Sequence, residues 1–180
     1  MEYTNIVHPF GPLYDKNSKI LILGSLPSVK SREQNFFYGH PKNRFWPLIA
    51  SLLGRPAPET VEEKRELALS GHIALWDTIY SCDIRGSSDS SIRNVVPTDL
   101  SHIIEETQVR SIFCNGQTSG RYYRKYQEKQ LGIPAVILPS TSPANAAWSM
   151  ERLKSEWMII TEYLQAAEGK LRSSNVLTIV

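Results

Sequence analysis

The chain has 180 residues, of which 41% are hydrophobic and 21% charged, a balance that excludes a disordered chain and a collagen-like repeat. Lys and Arg number 20 against 18 Asp and Glu, so the net charge of +2 permits an acidic partner without requiring one. Two cysteines, Cys82 and Cys114, are too few for a disulfide scaffold or a four-cysteine cluster and fit a reducing compartment.

Residues Glu2, Tyr3, Thr4 and Asn5 after Met1 are polar, unlike a secretory signal. The first apolar run, Lys19 to Gly24, predicts a strand. Arg44 to Leu53 is apolar-rich and predicts a helix that stops at Gly54. Thr60 followed by Glu63 predicts a capping box opening a helix over Thr60 to Ser70, with Gly71 as its stop. A second strand is expected over His72 to Trp76, and a helix over Asp99 to Thr107 with Thr98 as its cap. Arg110 to Cys114 and Pro134 to Leu138 complete the strands, with a helix over Thr118 to Gln130 between them. The last helix is expected over Ser142 to Ala167, and Val176 to Val180 either adds an edge strand or frays. All the apolar runs are strand-length, far short of a membrane span.

The strand segments are nearly continuous hydrophobic runs rather than alternating ones, which suits strands covered on both faces in a parallel sheet. The regular alternation of strand and helix predicts one α/β domain over residues 1–180 with right-handed crossovers. In such sheets ligands sit at the carboxyl ends of the strands. Four segments therefore carry the candidate chemistry: Gly24-Ser25-Leu26-Pro27-Ser28, Asp77 to Tyr80, Asn115 to Thr118, and Pro139 to Asn145.

The stretch from Gly24 to Trp46 is the richest. Phe36, Phe37 and Tyr38 lie in a long polar loop, where aromatic faces either stack on a planar ligand or belong to the core. Asn43 stands where a helix begins, and a cap there also gains the helix dipole as a site. Asp77 ends the second strand, as a site residue or as a cap for the loop amides after it. Ser140-Thr141-Ser142-Pro143-Ala144-Asn145 is a tight loop able to present hydroxyls and amides to an anion. Arg121, Arg124, Lys125 and Lys129 share one helical face, which is either a solvated surface or an anion-facing one. The chain lacks a phosphate loop of the GxxxxGK[ST] type, a GxSxG elbow and CxxC spacing, and its histidines are scattered, so no metal site is expected.

In this order, the four segments resemble the uracil-DNA glycosylase superfamily, and the string Tyr38-Gly-His-Pro-Lys-Asn-Arg-Phe-Trp46 most resembles its hypoxanthine-DNA glycosylase branch. The resemblance runs from Ile20 to about Trp157. It implies a three-layer α/β/α sandwich with a four-stranded parallel sheet, and hydrolysis of the N-glycosidic bond of a deaminated base in double-stranded DNA. It implies no metal and no other cofactor. The protein would act as a monomer in the cytoplasm, at the nucleoid when on DNA.

By position, the resemblance makes Asn43 the residue that holds the attacking water and gives Phe37 or Phe36 the stacking role. Gly24, Ser25, Leu26, Pro27, Tyr38 and Asn115 would line the base site, and Asp77 would read the base edge. Ser140 stands where uracil-specific relatives carry a catalytic histidine, and Thr141, Ser142, Pro143, Ala144 and Asn145 match their minor-groove loop. Leu26 and the alanines Ala144 and Ala146 are the candidate wedges. The chain departs from those relatives at Ser25-Leu26-Pro27-Ser28, which has no water-orienting carboxylate, so a different base preference is expected. Three other readings are a damaged-base sensor that does not cut, a glycosylase-lyase using Lys30 or Lys42, and a hydrolase of free nucleosides.

Overall fold

The computed structural model describes residues 1–175. In chain order its elements begin with β1 (Thr4–Val7), β2 (Ile20–Gly24), α1 (Val29–Gln34), α2 (Phe45–Leu52) and α3 (Val61–Ser70). Strands β3 (Ile73–Asp77), β4 (Ile79–Ile84) and β5 (Arg93–Pro97) follow, then α4 (Ser101–Glu106) and β6 (Ser111–Asn115). The chain continues through α5 (Gln117–Tyr126), α6 (Glu128–Leu131), β7 (Ala135–Leu138), α7 (Met150–Trp157) and α8 (Ile159–Asn175).

The predicted four-stranded parallel sheet is present, in the order β3-β2-β6-β7. Strand β2 is central and every one of its residues is buried, as its uninterrupted apolar sequence requires. Each of Leu21, Ile22 and Leu23 is wholly removed from solvent, worth roughly 1.5–3 kcal/mol per side chain. Helices flank the sheet in an α/β/α arrangement, with α3 on β3, α5 on β6 and β7, and α8 on β2. The chain leaves β2 toward β3 on one side and later returns to β6 on the other. The sheet therefore has its topological switch point between β2 and β6, where ligands of open α/β sheets bind.

The capping box is formed: Thr60 Oγ1 accepts from the Glu63 amide, and Glu63 Oε2 accepts from the Thr60 amide. Other expectations need correction. The segment Asp77 to Tyr80 is not a loop, because β4 starts immediately after Thr78. It pairs antiparallel with β1 and β5 in a second, three-stranded sheet. Buried Cys82 and Ile84 alternate with half-buried Ser81 and Asp83, the pattern of a strand with one covered face.

Thr98 does not cap α4. Asp99 accepts from the Ser101 amide instead, and the Thr98 hydroxyl is turned inward to the Asp77 carbonyl, 2.5 Å away. The expected helix from Ser142 starts only at Met150, capped by Ser149, because residues 139–149 form a loop. It is also divided, with α7 giving way to α8 after Met158. The alternatives for Val176 to Val180 lie outside the described residues.

Candidate active site at the switch point

Three polar side chains lock together across the mouth of the switch point. Asn115, the last residue of β6, accepts the Thr141 amide on its Oδ1 at 3.0 Å and donates from Nδ2 to Thr141 Oγ1 at 2.9 Å. Because a backbone amide can only donate, it fixes the orientation of the Asn115 side chain. Thr141 must then pass its own hydroxyl proton onward, and it does so to Asn43 Oδ1, 2.9 Å away. Asn43 Oδ1 also accepts the Phe45 amide at 2.9 Å, which ties this side chain to the first turn of α2. Both acceptor positions of the Asn43 oxygen are thus filled. Among the described residues none accepts from its Nδ2, which leaves two N–H donors for a ligand or water.

Asp77, at the end of β3, forms the other wall. Its Oδ2 is 2.7 Å from Nε2 of His8, in a pair whose histidine is fully enclosed. Its Oδ1 lies so close to Gly24 that a Cβ there would collide with it. Gly24 is therefore required by the close approach of a carboxylate rather than by its backbone conformation. The same imagined Cβ would come within 3.4 Å of Tyr38 Oη. Among the described residues no hydrogen bond is made to Asp77 Oδ1.

Tyr38 joins the two walls. Its ring stacks on Phe45 with centroids 3.9 Å apart, and its backbone is held in the left-handed region at φ 53°. The hydroxyl is buried on the same side of Gly24 as Asp77 Oδ1, and among the described residues it completes no hydrogen bond. Burial first, then the negative charge of Asp77, push the phenol above its ordinary value, so it remains a protonated donor.

The remaining candidates are distributed unevenly. Phe36 is in the hydrophobic core, stacked on Trp46 at 5.8 Å with the Arg65 guanidinium over its ring, and the structure does not bring it to the cleft. Phe37 is also buried, but it joins Phe10 and Trp76, the two rings that pack against the His8 imidazole. Ser25 is half-buried, and its carbonyl accepts the Ile79 amide at 3.0 Å. Pro27 is buried, and its carbonyl accepts from Arg32 at 2.9 Å. Leu26 packs into a small second core with Ile6, Ile79, Cys82, Ile84 and Tyr122. That packing removes it as a protruding wedge, whereas Ala144, Ala146 and Ala147 are exposed.

In the loop after β7, Ser140 Oγ accepts the Ser142 amide at 3.2 Å and retains its own proton to donate. Gly116 faces Ser140 at φ 96°, and a Cβ there would stand 3.1 Å from Ser140 Cβ, so both conformation and space demand glycine. Asn145 braces the loop by donating from Nδ2 to the Ser140 carbonyl at 3.0 Å, and the Ala144 amide meets Ser142 Oγ at 3.2 Å. Pro143 is half-buried at the turn.

Two residues that brace the site have no local signal in the sequence. Arg44 gathers the loop, donating from its side chain to the carbonyls of Thr141, Ser142, Asn145 and Trp148, while its amide also meets the Thr141 carbonyl at 3.1 Å. Arg44 lies within the string from Tyr38 to Trp46, but its partners are 97 to 104 positions away. His8 lies 69 positions from Asp77, and nothing next to it in the sequence marks it.

At the carboxyl ends of a parallel sheet flanked by helices, the site thus combines an oriented side-chain amide with two N–H donors and a buried carboxylate with one oxygen free of hydrogen bonds among the described residues. Residues 12–165 match the Uracil DNA glycosylase superfamily, and the chain belongs to that family. It is 35% identical over 150 residues to a hypoxanthine DNA glycosylase of Methanosarcina acetivorans, covering 82% of this chain and 93% of the relative. It is 33% identical to a hypoxanthine DNA glycosylase of Methanosarcina barkeri over the same shares of the two chains. The solution NMR structure of a candidate uracil DNA glycosylase from Methanosarcina acetivorans superposes with a TM-score of 0.75. That structure is 34% identical, and the match covers 87% of this chain and 96% of that one.

Proposed function

We propose that the protein is a monofunctional DNA glycosylase that removes hypoxanthine from double-stranded DNA, with uracil or xanthine as secondary substrates. It would act as a monomer on the DNA of the cytoplasm. Membership of the superfamily and the two hypoxanthine DNA glycosylase relatives support glycosylase chemistry over a non-cutting sensor.

The observation that carries the reading is the lock on Asn43, whose oxygen is saturated by the Phe45 amide and the Thr141 hydroxyl. What remains is a fixed pair of N–H donors, which can hold water by its oxygen but cannot take its proton. That suits a reaction in which the base departs first. As the C–N bond breaks, the base takes the bonding electrons and the sugar becomes oxocarbenium-like. A positioned water then attacks the anomeric carbon and afterwards loses a proton to solvent. Positioning of this kind lowers the barrier without a strong base.

The target base must first leave the helix stack, at a cost of a few kcal/mol that stacking worth about 1–3 kcal/mol per base and an inserted loop offset. Phe37, whose ring meets Phe10 and Trp76, is the aromatic candidate, and the exposed alanines around Asn145 are the wedge candidates. Asp77, an acceptor when ionised, suits the N1–H of hypoxanthine and the N3–H of uracil. It opposes the N1 lone pair of adenine. Tyr38 and Ser140 supply donors that can meet charge developing on the departing base.

A base-release assay tests the reading. Duplexes carrying a single inosine, uracil or xanthine are treated with the protein and then with alkali, with the Asn43→Ala variant in parallel. Strand scission is expected to be greatest at inosine. In the variant, turnover is expected to fall by about a hundredfold or more with duplex affinity nearly unchanged. Binding without release on all three duplexes would replace this reading with the sensor, and a covalent adduct trapped by borohydride would replace it with a lyase.

A further inference from the structure

We infer that His8 is a positioning residue for base recognition: it holds Asp77 as an acceptor-only carboxylate with one oxygen left for the base. The inference rests on the glycosylase reading above and deepens it.

The two oxygens of Asp77 have different surroundings. Oδ2 is committed to His8 Nε2 at 2.7 Å. A carboxylate only accepts, so Nε2 is the donor of this pair. Oδ1 is pressed against the backbone of Gly24 and neighbours the buried Tyr38 hydroxyl, in the space at the carboxyl end of β2. The carboxylate plane is thereby defined from both sides, and Oδ1 is the oxygen without a hydrogen bond among the described residues.

His8 is itself held firmly. Its amide donates to the Tyr80 carbonyl at 2.7 Å, which anchors the main chain where β1 ends. Its ring packs edge-on against Phe10 at 4.6 Å and obliquely against Trp76 at 4.4 Å. Among the described residues the other ring nitrogen, Nδ1, is buried with no partner. The imidazole therefore makes one side-chain hydrogen bond, and that bond goes to Asp77.

Such an enclosed polar pair contributes little to stability compared with well-packed apolar residues. An aromatic ring alone would fill the space beside Phe10 and Trp76. What the imidazole adds is a donor, and the donor determines what Asp77 can do. With Oδ2 held by the imidazole, the carboxylate is kept from rotating and Oδ1 is the oxygen left to accept. Deaminated bases offer an N–H there. Without His8, Oδ2 would lose its donor and the carboxylate could turn, so Oδ1 would no longer face the base in a fixed direction.

The test uses His8→Phe, which keeps an aromatic ring without the donor, and His8→Gln, whose amide nitrogen reaches the Nε2 position. His8→Met is a second donor-free variant. On a duplex with one inosine, kcat/KM is expected to fall about tenfold or more in the Phe and Met variants, and to stay within about threefold of wild type in the Gln variant. Affinity for a duplex carrying an abasic-site analogue, which has no base for Asp77 to read, is expected to stay within about twofold throughout.

A folded Phe or Met variant as active as wild type overturns the inference. So does an equal loss of abasic-duplex affinity, or a Gln variant that fails to restore release. Should neither donor-free variant fold, the Gln variant stands alone: release within about threefold supports the inference, and a tenfold loss overturns it. A wild-type protein that releases no base would instead overturn the glycosylase reading itself.

Discussion

The hydroxyl of Thr141 donates to the side-chain oxygen of Asn43 across 2.9 Å, between loops 98 positions apart in the chain. This contact gives Asn43 a defined direction, because Thr141 is itself oriented by Asn115 and fully buried. The relay runs from β6, through the loop after β7, to the start of α2. The sheet edge and the helix thereby act together on one amide.

Thr141→Val tests that relay. The substitution nearly preserves shape but removes the hydroxyl, leaving Asn115 Nδ2 and one lone pair of Asn43 Oδ1 without their partner. Stability is expected to fall by about 1–3 kcal/mol, and base release by about tenfold, with duplex affinity little changed. Thermal melting and single-turnover kinetics on an inosine duplex would measure both. Unchanged turnover in a folded variant would show that Asn43 does not need its lock.

Gly24→Ala tests the close approach of Asp77 to β2. The added methyl group would collide with Oδ1 in a closely packed strand, so either the carboxylate or the strand must move. A stability loss of about 1–3 kcal/mol is expected, together with a loss of base release larger than that of Thr141→Val. Wild-type release from this variant would mean that the carboxylate can yield without consequence.

Local signals and continuous apolar runs made much of this fold legible in the sequence. Thr60 and Glu63 define a cap within one turn, and β2 has no polar residue among Ile20 to Leu23. The second sheet was harder to see because β1 buries only Ile6, and β4 follows β3 with Thr78 alone between them. Its pairing is set by partners distant in the chain, such as Ile6 with Cys82. At the site, Asn43, Asp77 and Asn115 were visible because each ends a strand or opens a helix. His8 and Arg44 were not, since each is defined by a partner far away in sequence. Phe36 and Phe37 show the limit of adjacency: the two rings are 5.7 Å apart, yet one stacks on Trp46 and the other faces Phe10 and Trp76.

Arg44→Lys should loosen the loop that follows β7. The guanidinium fork meets four carbonyls at once, which a single ammonium cannot reproduce. Backbone amide exchange in residues 141–148 is expected to accelerate and duplex affinity to fall about three- to tenfold, while melting changes by no more than about 1–2 kcal/mol. Hydrogen-exchange mass spectrometry with and without DNA would show it. Unaltered exchange in that loop would remove Arg44 as its fastener.

Alkaline stability should depend on Cys114. Burial pushes this β6 thiol up to about 11 from an ordinary 9.0, a shift that favours the protonated form in the folded state. A group whose folded value is raised contributes fully below its unfolded value and loses that contribution as pH rises toward the folded one. Stability should therefore hold below pH 9.0 and decline between there and about 11, by on the order of 2 kcal/mol from this thiol. Cys114→Ala should be less stable at neutral pH because it leaves a small void, but its decline through the same window should be shallower. The comparison requires denaturant melts of both proteins at intervals from pH 7 to 11, using the difference in slope rather than in absolute stability. Alkylation gives an independent check, since a buried protonated thiol should resist iodoacetamide at pH 8 until the chain is unfolded. Parallel slopes for the two proteins, or ready alkylation of the native chain at Cys114, would place the thiol in a more open environment than the fully covered one it has in β6.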